Sequence, residues 1–347
     1  MHLPRMRKHQ VGFSLVEIMV GMVIGMFAII VMLQSFSFFE ERKRTTSGGS
    51  DAMSEGVMAL YALQRDIRQA GYGVSALEVL GCPLTVSGVS MALAPVTINP
   101  AAAIIPAGDD NTDTLLVIYG NSEGQPQGRS NLTALPLPLA ANYHVQLGSP
   151  CTLLSPPNTA PPLPTSGTLY DLGPAPRILA YAIRSGNLTR CDYLARNCGD
   201  PDNIAANYAT VANDIVSLRA QYGHDNVTTP NPLPAGSTAG VADPITGKIP
   251  AYQVDSYDQT QDQDLPAGAT AACKWARTGA IRLALAARSS LLEKDPVTTS
   301  SLVWDGGTLI DLESSGVDPV LKNFRYKVFQ TVVPLRNVTW MGVQEGC

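Results

Sequence analysis

The chain has 347 residues, 45% apolar and 15% charged, enough for one large domain or two ordinary ones with a sizeable core. Its formal charge is −5, and no strong basic stripe suits phosphate contacts, which disfavours nucleic acid as a partner. Charge alone excludes little else.

The first predicted element is an apolar run headed by Gly12-Phe13-Ser14-Leu15-Val16-Glu17 and reaching about Leu33. That is close to the roughly 20 residues a bilayer-spanning helix needs. Arg5, Arg7 and Lys8 precede it, as in a secretory signal peptide. Three features favour an anchor instead. The run exceeds the usual apolar region of a signal peptide, Gln34-Ser35-Phe36 has no small-x-small cleavage site, and helical sequence continues beyond it. Glu17 is the one ionisable residue inside the run. A carboxylate at membrane depth costs about 2.5–3.5 kcal/mol on insertion scales, so it is a functional candidate.

Arg42-Lys43-Arg44, beside Glu40-Glu41, reads as a membrane-proximal flank. From Ser54 to Ala70 the apolar positions Val57, Leu60, Tyr61, Leu63 and Ile67 keep helical spacing, so the helix is expected to continue as an amphipathic half. Gly48-Gly49-Ser50 is a candidate bend or break, and Gly71 and Gly73 a candidate stop. Such a helix buries its apolar face across a sheet. Leu77 to Ala107 reads as loops and short extended pieces, Thr112–Tyr119 and Tyr143–Leu147 as strands, with turns over Gly120–Leu139 between them. Ser149–Pro176 is Pro-rich and reads as a surface loop. Ile178–Ile183 and Leu188–Tyr193 flank the turn signal Arg184-Ser185-Gly186-Asn187 and predict a hairpin. Asp214–Tyr222, Ala280–Arg288 and Asn323–Val333 read as sheet strands, and the polar stretch Thr228–Thr270 as an exposed insertion.

Gly12-Phe13-Ser14-Leu15-Val16-Glu17 resembles the class III signal of type IV prepilins: a basic leader, a glycine, a phenylalanine, and a glutamate four residues on. The later segments Val211 to Gly223, Ile281 to Ser289 and Phe324 to Asn337 are similar to PilW-type minor pilins. The resemblance implies cleavage by prepilin peptidase between Gly12 and Phe13, N-methylation of Phe13, and a Glu17 that meets a neighbouring subunit's terminal ammonium. Loss of the leader removes Arg5, Arg7 and Lys8, taking the formal charge from −5 to −8. It also implies an α+β pilin-like fold, with a long N-terminal helix packed on an antiparallel sheet carrying large loop insertions.

The expected organisation is a leader over residues 1–12, a transmembrane and filament-core helix over 13–35, its periplasmic continuation over 36–73, and a β-rich domain over 74–347. Within that domain lie the Pro-rich loops 149–177 and the polar insertion 228–270. By the resemblance the protein sits in the inner membrane of a Gram-negative bacterium as a single pass, with its globular domain periplasmic, and then in the pilus, near its tip. Its partners would be prepilin peptidase, other minor pilins, the major pilin and the inner-membrane pilus assembly platform. It would prime pilus assembly and support twitching motility and adhesion. The alternatives are a J-type minor pseudopilin of a type II secretion system and a membrane-anchored adhesin.

Six cysteines in an exported chain permit up to three disulfides. Cys191 and Cys198 are the local candidate pair, leaving Cys82, Cys151, Cys273 and Cys347 for long-range pairing. No CxxC partner or sequence-adjacent His supports zinc. Asp255, Asp258, Asp262 and Asp264 lack the glycine and terminal glutamate of a calcium loop, so no metal is assigned. His144 and His224 anchor no catalytic motif, and no GxSxG elbow or phosphate-cradling loop occurs. No enzyme and no cofactor is expected.

Overall fold

The structure, a computed structural model, describes residues 14–74, 80–86, 88–121, 129–131, 144–147, 168–172, 175–224, 254, 256–260, 274–275 and 277–339. The leader, Gly12 and Phe13 lie outside these residues, as do most of the Pro-rich loop and the polar insertion. The chain divides into two units, Met1–Ser50 and Asp51–Cys347.

Helix α1 (Leu15–Gln69) is shared between them. In the first unit, Leu15–Ser37 forms 23 residues long and apolar enough to cross a membrane, and none of it is buried. The expected break at Gly48-Gly49-Ser50 does not occur: the helix continues through it. Glycine weakens a helix by about 1 kcal/mol but removes no main-chain donor, so neighbouring turns can carry it.

In the second unit the chain forms, in order, β1 (Pro83–Val86), β2 (Val89–Ala92), β3 (Val96–Ile98), β4 (Leu115–Tyr119), β5 (Arg129–Asn131), β6 (His144–Leu147), β7 (Thr168–Asp171), β8 (Arg177–Arg184) and β9 (Asn187–Asp192). There follow α2 (Ile204–Asn207), β10 (Ala209–Ala212), β11 (Ile215–His224), β12 (Ser256–Asp258), β13 (Thr278–Arg288), β14 (Leu302–Trp304), β15 (Gly307–Ile310), a 3-10 turn (Pro319–Asn323), β16 (Tyr326–Pro334) and α3 (Arg336–Thr339). The expected α+β class is what the structure has. Instead of one sheet, however, the described strands make four antiparallel arrays, ordered β2-β1-β6-β7-β5, β10-β9-β8-β4-β3, β12-β11-β13-β16 and β14-β15.

Layering explains the division. In the β3–β10 sheet, Leu115, Val117, Leu179, Tyr181 and Ile183 share a core with α1, while Leu116, Ile118, Ile178, Ala180 and Ala182 share another with β1 and β2. Both faces are buried, so β4 and β8 read as unbroken apolar runs rather than alternating strands. In the third sheet Ile281, Leu283, Leu285 and Ala287 face the α1 core. On its far side Ala284 and Ala286 meet Trp304 and Leu309 of the β14–β15 hairpin.

The predicted hairpin is β8–β9, closed by a two-residue turn in which Ser185 and Gly186 take φ of 50° and 70°. Two left-handed residues fit the twist of the flanking strands. Asp109 fixes the turn by accepting from the backbone N–H of Ser185 at 2.8 Å and of Gly186 at 2.7 Å. Two stretches expected to lack regular structure contain strands: β7 within the Pro-rich loop, and β12 within the insertion, where it pairs with the edge of β11. Leu77 to Ala107, expected as loops and short extended pieces, holds the short strands β1, β2 and β3.

Candidate assembly site

Glu17, singled out in the sequence, lies on α1, as does the amphipathic half that packs on the sheets. At its start, Ser14 carbonyl accepts from the N–H of Glu17 at 3.0 Å and of Ile18 at 3.2 Å. This places Glu17 in the first turn, where the helix dipole favours a carboxylate by about 0.3–1 kcal/mol. That is well short of the about 2.5–3.5 kcal/mol that a carboxylate costs at membrane depth. Glu17 is exposed, so its carboxylate is open to a group from outside the chain. Its 23-residue segment spans about 35 Å at 1.5 Å per residue, against a hydrocarbon core of about 30 Å.

Beyond Ser50 the helix has a buried face made of small and aliphatic residues. Ala52, Ala59, Leu63, Ile67 and Ala70 are buried to 1% exposure or less in the shared core. Gly56 lies under Phe329 of β16, where an added Cβ would fall 2.0 Å from the ring. Glycine here brings the helix backbone close to the sheet. Gln64 Nε2 donates to Thr331 Oγ1 on the same strand at 2.8 Å. On the other flank, Glu55 accepts from the N–H of Asn213 at 2.8 Å.

Two polar anchors at the C-terminal end of α1 went unread in the sequence. Asp66 is fully buried, accepting from Tyr181 Oη at 2.5 Å and Arg65 Nε at 3.0 Å, with Arg190 Nη1 at 3.7 Å. Burial first, and then the Asp66 carboxylate, push the Tyr181 hydroxyl far above its ordinary pKa, so it stays a donor. The same two causes raise Tyr119 to about 12. The signal was present: an aspartate between Leu63 and Ile67 lies on the buried face of an amphipathic helix, which demands a partner. The second anchor is Asn337, whose Nδ2 sits 3.4, 3.2 and 3.0 Å from the carbonyls of Arg68, Gln69 and Ala70. The last carbonyls of a helix lack partners within it, and of these three that of Gln69 also accepts from the Tyr72 N–H at 3.0 Å. Gly71, at φ 79°, follows as the expected stop.

Cys191 and Cys198 form a disulfide and Cys82 is also disulfide-bonded. Cys151, Cys273 and Cys347 lie outside the described residues. Asp258 accepts from the N–H and hydroxyl of Thr260, while Asp255, Asp262 and Asp264 lie outside the described residues. Among the described residues no three His, Cys, Asp or Glu side chains cluster as metal ligands. His224 is buried, its Nε2 3.2 Å from the Thr260 carbonyl, and takes a structural place at the end of β11.

The second and third sheets are where a family comparison finds its match. Residues 180–337 fit the family model described as type IV pilus-assembly protein W. The matched stretch is a little under half of the chain. It runs from the middle of β8 to α3, taking in β11, β13, β16 and the Asn337 cap. Thus the matched segment supplies β11, β13 and β16, which share a core with α1, and the side chain that closes its end. A solved structure, the type IV-like pilin TTHA1219 from Thermus thermophilus, is 13% identical and aligns over 82% of this chain and 97% of that one, with a TM-score of 0.35. No curated protein matches.

Proposed function

We propose that this chain is a minor pilin of a type IV pilus, one that primes assembly with other minor pilins and resides near the tip. The observation that carries the reading is a PilW segment in the same chain as a membrane-length apolar helix with one carboxylate, Glu17. On this reading prepilin peptidase cuts between Gly12 and Phe13, and Phe13 becomes the N-methylated terminus. Residues 13–35 serve as anchor and filament core, 36–73 as the periplasmic helix, and 74–347 as the globular domain. The protein crosses the inner membrane once and docks on the assembly platform, minor pilins and the major pilin. Its work is structural rather than catalytic.

Glu17 has a definable part in this mechanism. A carboxylate and a terminal ammonium 4 Å apart attract by about 4 kcal/mol at an effective dielectric constant near 20. That matches the cost of holding the carboxylate in the membrane, so a neighbour's terminus offsets what the helix dipole does not. Only one register along the neighbouring helix brings the two charges together. Apolar contacts of Leu15–Leu33 are retained against other helices at about 25 cal/mol per Å².

Deletion of the gene tests this reading. The expected phenotype is loss of surface pili and twitching with protein secretion intact, restored by the wild-type gene and not by Glu17→Ala at equal membrane abundance. Lost secretion with normal piliation would place the chain in a secretion pseudopilus. Full activity of Glu17→Ala would remove the register role.

A further inference from the structure

β16 is the outer strand of the third sheet among the described residues, and a flank of α1 lies beneath it. Leu335 N–H donates to Gly279 carbonyl and Ser289 N–H to Arg325 carbonyl, fixing the hydrogen-bonded pairs of β13 and β16. In an antiparallel ladder such pairs alternate. Lys327, Phe329, Thr331 and Val333 therefore turn their backbone groups toward β13, while Tyr326, Val328, Gln330 and Val332 turn theirs outward. Pro334 agrees with this parity: it stands at an outward position, where a missing N–H breaks no ladder bond. Among the described residues no strand pairs with that edge.

The same edge has an apolar floor. Phe329 lies on Gly56 and Thr331 bonds Gln64, so this flank of α1 runs under β16. One step further around the helix, Met53, Val57 and Tyr61 follow at four-residue spacing and are 52%, 50% and 66% exposed. Strands lie about 4.8 Å apart. A strand added beside β16 would set alternate side chains on Met53, Val57 and Tyr61. The border is basic: Lys327 is exposed on β16, with Arg68 and Arg336 exposed toward its other end. β16 itself contains no carboxylate, and Asp305, whose N–H donates to Gln330, is an acid beside the seat. In a chain of net charge −5 this is a local reversal of sign.

We propose that β16 is completed by an extended, acidic-flanked strand from a different subunit of the pilus assembly, docked by strand addition. The word subunit rests on the minor-pilin reading. The chemistry of the seat does not. A second copy of the chain fits less well, because pairing β16 with itself brings two basic borders together.

The test uses the full chain in detergent micelles and two fluorescent peptides that share an alternating Val-Ser centre, one flanked by Glu at both ends, the other by Lys. The acidic peptide is expected to bind at least tenfold tighter than the basic one. It should protect the amides of Val328, Gln330 and Val332 from hydrogen exchange. Val332→Pro removes one outward N–H and spares the β13 ladder, so it should weaken binding at least tenfold. Tyr61→Ser, which leaves β16 intact, should weaken it several-fold and decides the matter if Val332→Pro does not fold. Equal binding of both peptides, binding of neither, or full binding by both variants would overturn the proposal. So would a concentration-dependent dimer that these substitutions abolish, since it would assign the edge to a second copy. None of these outcomes depends on peptidase processing or pilus phenotype.

Discussion

Replacing Asp66 with alanine removes a buried charge that ties α1 to the β3–β10 sheet, and its cost can be worked from its three partners. Arg65 and Arg190 are 50% and 39% exposed, so water screens their attraction and their loss contributes little. The bond from Tyr181 is different, being wholly buried at 2.5 Å. A hydrogen bond to a charged group contributes about 1.5–3 kcal/mol, and an orphaned buried hydroxyl costs about 1–3 kcal/mol; the two overlap, giving about 2–4 kcal/mol for Asp66→Ala. For the roughly 300 residues of Asp51–Cys347, unfolding entropy is about 0.6 kcal/mol/K, so Tm should fall by about 3–6 °C. Calorimetry and urea denaturation of Asp66→Ala, Tyr181→Phe and the double variant measure this as a cycle. The double variant should lose little more than Asp66→Ala alone, because the hydroxyl it strands is gone. Additive losses, or an Asp66→Ala effect below about 0.5 kcal/mol, would refute the buried bond as the chief anchor.

Gly56→Ala should destabilise despite a helix-propensity gain of about 1 kcal/mol, since the new Cβ must displace the Phe329 ring. Chemical denaturation should show a net loss of about 1 kcal/mol that Gly56→Ala combined with Phe329→Ala no longer shows relative to Phe329→Ala. Asn337→Ala should cost about 1 kcal/mol by uncapping the carbonyls of Arg68, Gln69 and Ala70, with faster amide exchange confined first to the last turn of α1. Alkaline pH should destabilise the domain. Tyr119 is raised to about 12 from an ordinary value near 10, so its contribution is fully present below pH 10 and is lost as pH rises toward 12. Tyrosinate absorbance should therefore appear later in the native protein than in the urea-unfolded chain.

What could be read from the sequence depended on whether one local pattern decided each element. Arg184-Ser185-Gly186-Asn187 holds its turn chemistry within four residues, and the hairpin stands where it was expected. Asp66 and Asn337 act through partners 115 and 267 residues away, Tyr181 and Ala70, which no local pattern encodes. The β14–β15 hairpin had a signal, Asp305-Gly306 between Trp304 and Gly307, but its short strands carry only a weak alternation. β12, of three residues, exists because the longer β11 offers an edge, and β7, of four, because β5 and β6 pair on either side of it, not because their own sequences demand it. The division into several sheets was illegible for a related reason. Strands buried on both faces lose the alternation that would tell one face from the other. At the proposed assembly end, Glu17 was legible because charge within an apolar run is rare, whereas the seat beside β16 needed the ladder register before its parity could be assigned.

The central claim, that this chain is a processed minor pilin, is tested most directly by mass spectrometry of its mature N-terminus from cells with and without prepilin peptidase. The account predicts a chain beginning at N-methylated Phe13 when the peptidase is present and the intact leader when it is absent. A chain that keeps Met1 in both strains, or is cut anywhere other than after Gly12, would contradict it.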